Sequence, residues 1–249
     1  MIAMPPVSGV IDRRFLINYR VDPDVLQALL PLRFRPHLVS DVGVAGICVL
    51  RLRHVRPQGL PGALGIATDN AAHRIAVEWD TPEGVRRGVY IVRRDTSSRT
   101  TVQLGGRLFP GVHARADFTF DERPEQFRLA FTSRRDDTSV AMSARLDSAV
   151  PNGSLFSSVD AASSFFQDSP VGWSPRHDSS SIESLELSCA TWKVEPLQVE
   201  YLTSSFYDDH ARFPEGSATF DSAFVMRGIA STWRAAGSMT SSNVVDASR

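Results

Sequence analysis

Apolar side chains recur at every second position in segment after segment of this chain. Phe15, Ile17 and Tyr19 share one face of RRFLINYR, Ile75, Val77 and Trp79 one face of HRIAVEW, and Phe127, Leu129 and Phe131 one face of QFRLAFTSR. In VHARADFTF, Val112, Ala114, Ala116, Phe118 and Phe120 lie opposite His113, Arg115, Asp117 and Thr119. A period of two is that of a strand with two unlike faces. The runs 42–53, 87–94, 99–104, 138–146, 182–192, 194–203 and 217–226 are read as further strands. Many short strands separated by turn residues predict a mainly β (α+β) fold, an antiparallel barrel or sandwich.

Helix signals are few. Asp22-Pro23-Asp24 before VLQALL supplies an N-cap and a proline at the first helical position, and Pro31 ends that helix. A second helix is expected from Val159 to Gln167, capped by Ser158, with Phe165 and Phe166 packing inward. The stretches 152–158 and 174–182, rich in Ser, Asn, Gly and Asp, read as loops. After Trp233 the residues become small and polar. Residues 1–234 are therefore expected to form a single domain, and 235–249 a flexible C-terminal tail.

Composition removes several functional classes. Of 249 residues, 42% are hydrophobic and 22% charged, with a net charge of −1, so no basic surface calls for nucleic acid or an anionic membrane. The longest apolar run, Val42 to Leu50, is far shorter than the ~20 residues of a spanning helix. MIAMPPVSGVIDRR lacks the basic and apolar regions of a secretory signal, so a cytoplasmic location is expected. Cys48 and Cys189 lie in the apolar stretches GICVL and ELSCATW and read as buried thiols, with no zinc or CxxC spacing. Asp208-Asp209-His210 reads as a solvated turn rather than a metal site. With no glycine-rich phosphate loop, GxSxG or HExxH, the expected cofactor and metal content is none.

Three stretches carry a family likeness: FLINYRVDPDVLQALLP, GGRLFPGVHARADF, and GWSP followed by TWKVEPLQVEYLTSSFYDD and FPEGSATFDSAFVMR. Together, over roughly residues 10 to 234, the chain resembles the acetoacetate decarboxylase-like superfamily, and within it the uncharacterised branch called domain-of-unknown-function family 2071. The resemblance implies a cone-shaped antiparallel β-barrel with an internal pocket, a few short flanking helices, and assembly into a homo-oligomer. In true acetoacetate decarboxylases a lysine forms a Schiff base with a β-keto acid, and an adjacent lysine lowers its pKa. The resemblance puts Ala114 at the first position and Arg115 at the second, within Gly111-Val112-His113-Ala114-Arg115. A methyl group cannot form an imine, and an arginine cannot supply a free amine. Among 27 Lys and Arg residues only Lys193 is a lysine. It lies in TWKVEP, and the expected partner of its solvated amine is Glu195 or an acid of a neighbouring strand.

The same resemblance marks candidate pocket residues. Asp69 stands at the family's acidic position, where a barrel would raise its pKa by desolvation; otherwise Asp69-Asn70 is a turn that caps the next strand. His113 stands at the family's proline, and strict alternation sends His113 and Ala114 to opposite faces unless Pro110-Gly111 forms a bulge. Arg107, after Gly105-Gly106, is placed to bind a carboxylate or to pair structurally. Arg13 or Arg14 lies near another basic pocket position. Arg93 and Arg94 are consecutive, so one points inward, and Asp95 or Glu78 is the acid for a buried one. Phe109, Trp79, Tyr90 and Trp173 are candidates for an apolar pocket wall or for ordinary core.

Two functions fit this reading. One is a small-molecule-binding protein of the superfamily without the Schiff-base lysine. If an enzyme, it is a lyase or isomerase/cyclase acting on a carbonyl or polyketide-like compound, with Asp69 and His113 as acid and base and Arg107 or Arg115 on an anionic group. The other is a non-catalytic, lipocalin-like carrier or sensor for an apolar metabolite. In both the partner is a small molecule, with neither nucleic acid nor membrane.

Overall fold

The computed structural model describes residues 5–103, 111–176 and 181–240. In chain order the elements are β1 (Val7–Val21), α1 (Pro23–Ala28), β2 (Arg35–Pro36), β3 (Leu38–Val39), β4 (Val42–Pro57), β5 (Ile66–Thr81), β6 (Gly84–Thr96) and α2 (Arg99–Gln103). Then follow β7 (His113–Glu122), β8 (Gln126–Ser133), β9 (Ser139–Leu146), α3 (Val159–Gln167), β10 (Val171–Pro175), β11 (Ser181–Cys189), β12 (Glu195–Ser204) and β13 (Ala218–Thr240). The expected mainly β class with a few short helices holds.

Strand pairing makes two circuits rather than one barrel. The order β6–β7–β8–β9–β12–β13–β1–β4–β5, closed by β5 on β6, is a ring of 9 strands without regular barrel geometry. A second, smaller circuit leaves at β6 and returns at β13 through β10 and β11. β13, β1, β4, β5 and β6 are common to both.

Each fork has a local cause. β6 pairs in parallel with β10 over Gly88–Tyr90, then on the same edge with β7 over Arg94–Thr96. Between those segments Val92 is skipped in the pairing with β5, and such an extra residue bends a strand. β13 behaves alike, pairing with β12 at Ala223–Val225 and with β11 from Ser231 onward. Gly228, at φ 66°, sits between the two partners, where a Cβ would be strained. The pairings of β6 with β10 and with β7 are parallel, a departure from the all-antiparallel expectation.

Alternation on the shared strands feeds two cores. Phe15 and Ile17, Ile47 and Val49, Ile75 and Val77 join Leu129, Phe131 and Met142 in the core of the nine-stranded ring. The intervening Leu16, Cys48, Ala72 and Ala76 join Phe166, Phe224 and Met226 in a second core. A strand buried on both faces reads as a continuous apolar run, which is what Val42 to Leu50 is. α3 covers the second core. The Ser158 hydroxyl accepts from the Ala161 N–H at 3.1 Å as its cap, and Phe166 is buried beneath it.

Two local expectations are corrected. Residues 99–103 are helix α2, not a strand, because the Ser98 hydroxyl accepts from the Thr101 N–H at 3.2 Å and starts a turn. Residues 235–240, placed in the tail, continue β13 against β11, since ladder hydrogen bonds need no apolar side chain. The remaining tail, 241–249, lies outside the described residues.

The shared wall is tight. A Cβ on Gly46 would collide with the Ile17 carbonyl oxygen on the neighbouring strand, whereas at Gly62 the nearest atom is an Arg56 side chain 3.9 Å away. Gly46→Ala is expected to cost about 2 kcal/mol and Gly62→Ala under about 0.5 kcal/mol, read by denaturant unfolding. Equal effects would mean that β1 and β4 do not approach this closely.

Candidate functional site

A cavity of about 360 Å³ lies in the smaller circuit, lined by β1, β4, β5 and β6 on one side and by α3, β10 and β11 on the other. Much of its wall is aliphatic, from Leu50, Leu52, Ala76, Ile91, Leu185 and Leu187. Into it the shared wall projects three arginines, Arg14, Arg74 and Arg94. They come from β1, β5 and β6, each on the face that alternation turns away from the nine-stranded ring.

None of the three has a carboxylate partner among the described residues. Arg14 Nε donates to the Cys48 sulfur at 3.2 Å, and its guanidinium lies 5.8 Å from the Trp192 ring. Arg74, only 3% exposed, donates through Nη2 to Asn18 Oδ1 at 2.7 Å and lies 5.0 Å from the Phe166 ring. Its Nε is buried without a hydrogen-bond partner, as is Nε1 of the cavity residue Trp192. Arg94 Nε donates to the Ser174 hydroxyl at 3.1 Å. Burial pulls Arg74 down to about 10 and Arg94 down to about 10, so both stay cationic at neutral pH. An unpaired charge in such a site costs several kcal/mol. Asp95 also touches the cavity, but Arg93 holds both its oxygens, at 2.7 and 2.9 Å.

His113 is the imidazole of the cavity. Gly111, at φ 104°, turns the chain into β7, and the Gly111 carbonyl lies 3.1 Å from His113 Nδ1. An Nδ1–H donated there leaves Nε2 with its lone pair. Burial, helped by the charge of Arg94, lowers the imidazole to about 3 against the carbonyl's opposing pull, so the ring is neutral at pH 7.

The sequence candidates separate into groups. His113 lines the cavity, while Ala114 and Arg115 do not. Ala114 is buried outside the cavity lining. Asp69 and Arg13 come near each other but outside the cavity: Arg51 approaches Asp69 at 3.5 Å and Glu122 at 3.3 Å, and Arg13 binds Glu122 at 2.8 Å. Burial pushes the Asp69 carboxyl up, opposed by Arg51. Trp79, Tyr90 and Trp173 surround Phe34 at 5.8 Å each in the core of the nine-stranded ring, so they are core rather than cavity wall. Arg107 and Phe109 lie outside the described residues. Lys193 is exposed, its charge acting on Glu195 as expected, and it does not line the cavity.

Alternation alone does not single out Arg14, Arg74 and Arg94 as the arginines of the cavity. Arg14 was the alternative to Arg13, and Arg94 was one of a pair of which one had to point inward. The signal for Arg74 was its place in Ala72-His73-Arg74-Ile75-Ala76, an arginine flanked by apolar residues at spacing two.

The sequence profile of the family described as "Uncharacterized conserved protein (COG2071)", DUF2071, matches residues 11–221. The chain belongs to this family. No curated protein matches it by sequence. Among solved structures, an acetoacetate decarboxylase-like enzyme from Sphingomonas wittichii RW1 is similar at TM-score 0.57 and 14% identity, over 96% of this chain and 93% of that one. Acetoacetate decarboxylase from Legionella pneumophila is similar at TM-score 0.58 and 13% identity, over 94% and 88%. The enduracididine biosynthesis enzyme MppR, complexed with pyruvate, is similar at TM-score 0.59 and 13% identity, over 97% and 92%. At these identities the DUF2071 chain shares their fold. Among the described residues no helix is long and apolar enough to cross a membrane.

Two neutral imidazoles give the protein an acid-side liability. His113 and the fully buried His73 are both lowered to about 3, chiefly by burial. An unfolded histidine takes up its proton near pH 6.5, so stability is complete above about pH 6.5 and falls as pH drops from there toward about 3. The expected slope is up to ~1.4 kcal/mol per pH unit for each ring. His73→Leu should flatten the pH dependence of unfolding between about pH 6.5 and 4.5. An unchanged slope would place the protons elsewhere.

Proposed function

We propose that this DUF2071 protein binds a small, carboxylate-bearing carbonyl compound in the cavity and acts on it without forming an imine. The observation that carries the reading is the set of Arg14, Arg74 and Arg94 around one cavity with no carboxylate among the described residues paired to them. A guanidinium matches a carboxylate in shape and charge, and a charge-assisted hydrogen bond contributes about 1.5–3 kcal/mol. The aliphatic remainder of the wall suits the rest of a small organic acid. MppR, with a similar fold, is complexed with pyruvate, which is in keeping with a ligand of this kind.

His113 is the candidate acid–base group. With Nδ1 tied to the Gly111 carbonyl, Nε2 is free to take a proton from carbon next to a carbonyl. At about 3 it is a weak base, but a bound carboxylate offsets Arg94, one of the causes of that low value. Binding therefore raises the basicity of the ring. A lyase or isomerase step by proton transfer fits this arrangement, with enolate charge facing the arginines.

A purely binding role is the second reading, and one observation favours it. Asp69, the proposed acidic partner of His113, pairs with Arg51 instead of facing the cavity, so the acid–base pair is incomplete. Incubation with pyruvate in deuterated water separates the two readings. Catalysed exchange of the methyl protons, lost in His113→Phe, supports chemistry; binding without exchange supports a carrier.

The anion site itself is tested by Arg94→Met. Binding of small carboxylates, followed by calorimetry, is expected to weaken about 10- to 100-fold. The ligand-free protein should become more stable, because an unpaired buried charge has been removed. Undiminished binding in the variant would sink the assignment. Native mass spectrometry of the purified protein should then reveal the acid that occupies the cavity.

A further inference from the structure

Cys48 is the acceptor for one of the cavity's arginines. It lies on β4, is 4% exposed, and lines the cavity. The Arg14 Nε–H points at its sulfur from 3.2 Å. Arg74 and Arg94 line the same cavity. The other thiol of the chain, Cys189 on β11, lines the same cavity but its sulfur lies 3.6 Å from the Ser231 hydroxyl instead. Both are free.

A carboxylate docked on these arginines would hold the carbon next to it, or the one beyond, close to the Cys48 sulfur. We propose that Cys48 is a nucleophile of this cavity, reacting with small electrophilic carboxylic acids such as α,β-unsaturated acids and 2-halo acids. This rests on the anion-site reading above and adds a covalent step to it. Arg74 supports it independently of the thiol, as a buried cavity residue with an Nε–H that has no partner.

The step balances without an oxidant or reductant. The thiol proton leaves to solvent, giving the thiolate that is the reactive form, a few per cent of an ordinary cysteine at neutral pH. With a 2-halo acid the sulfur–carbon bond forms as the carbon–halogen bond breaks, and halide departs. With an unsaturated acid the sulfur adds to the β-carbon, and the π pair moves to the α-carbon. A solvent proton joins it there, so S–H has added across C=C. The hydrogen bond from Arg14 is already in place for the charged sulfur.

The test compares two alkylating reagents of nearly one size, one anionic and one neutral. The full-length protein is treated with iodoacetate or iodoacetamide, and each cysteine is followed by peptide mass spectrometry. At Cys48 iodoacetate should react about tenfold faster than iodoacetamide, because the arginines concentrate the anion. Cys189 should not show this preference. Arg14→Gln and excess acetate should each abolish it, with folding of the variant checked by circular dichroism. Equal ratios at the two cysteines, or an inert Cys48, would overturn the proposal. Acetate binding by calorimetry tells the two ideas apart: binding with an inert Cys48 sinks only the nucleophile, and no binding sinks the anion site beneath it.

Discussion

Everything at the site follows from a sheet that must serve two interiors. β1, β4, β5 and β6 belong to both circuits, so along their central residues both faces are buried. Leu16, Cys48, Ala72 and Ala76 are fixed on the cavity side once Phe15, Ile17, Ile47 and Ile75 fill the nine-stranded ring. A slip of one residue would exchange the two sets. The skipped Val92 and the left-handed Gly228 let β6 and β13 change partners where the circuits part. The cavity lies inside the smaller circuit.

The same constraint explains the charge. An arginine on an ordinary barrel strand can turn its head to water, but Arg74 is enclosed by Asn18, Phe166 and the cavity. Elsewhere half-buried arginines are neutralised: Arg93 holds Asp95 and Asp136, and Arg227 holds Glu195 with contacts at 2.7 and 2.6 Å. The cavity arginines stand apart from that habit. A fold that keeps three such groups does so at the expense of its own stability, which is the usual mark of a ligand site.

Strands and helices were legible from local rules. The alternating segments became strands, and Val159–Gln167 formed a helix capped by Ser158, because a serine hydroxyl and a run of apolar residues act over a few positions. Residues 99–103 depart from the strand expectation, since Ser98 starts a helical turn that propensity alone does not show. The position of the cavity was less legible. Alternation tells which residues share a face, but on a strand buried twice it cannot tell which face is core and which is chamber. Trp79, Tyr90 and Trp173 went to the core for that reason, and Asp69 and Arg13 to an ion-pair network. Alternation leaves the side of His113 open, and its ring lies in the cavity beside the Gly111 carbonyl.

Among the described residues the chamber is lined by guanidinium groups and by no lysine. Borohydride reduction in the presence of a β-keto acid measures this directly, since an imine would be trapped as a stable adduct on a lysine. The intact mass should stay unchanged after treatment, while a genuine lysine-dependent decarboxylase under the same conditions gains the reduced ligand. A mass increase mapping to Lys193 would contradict the account.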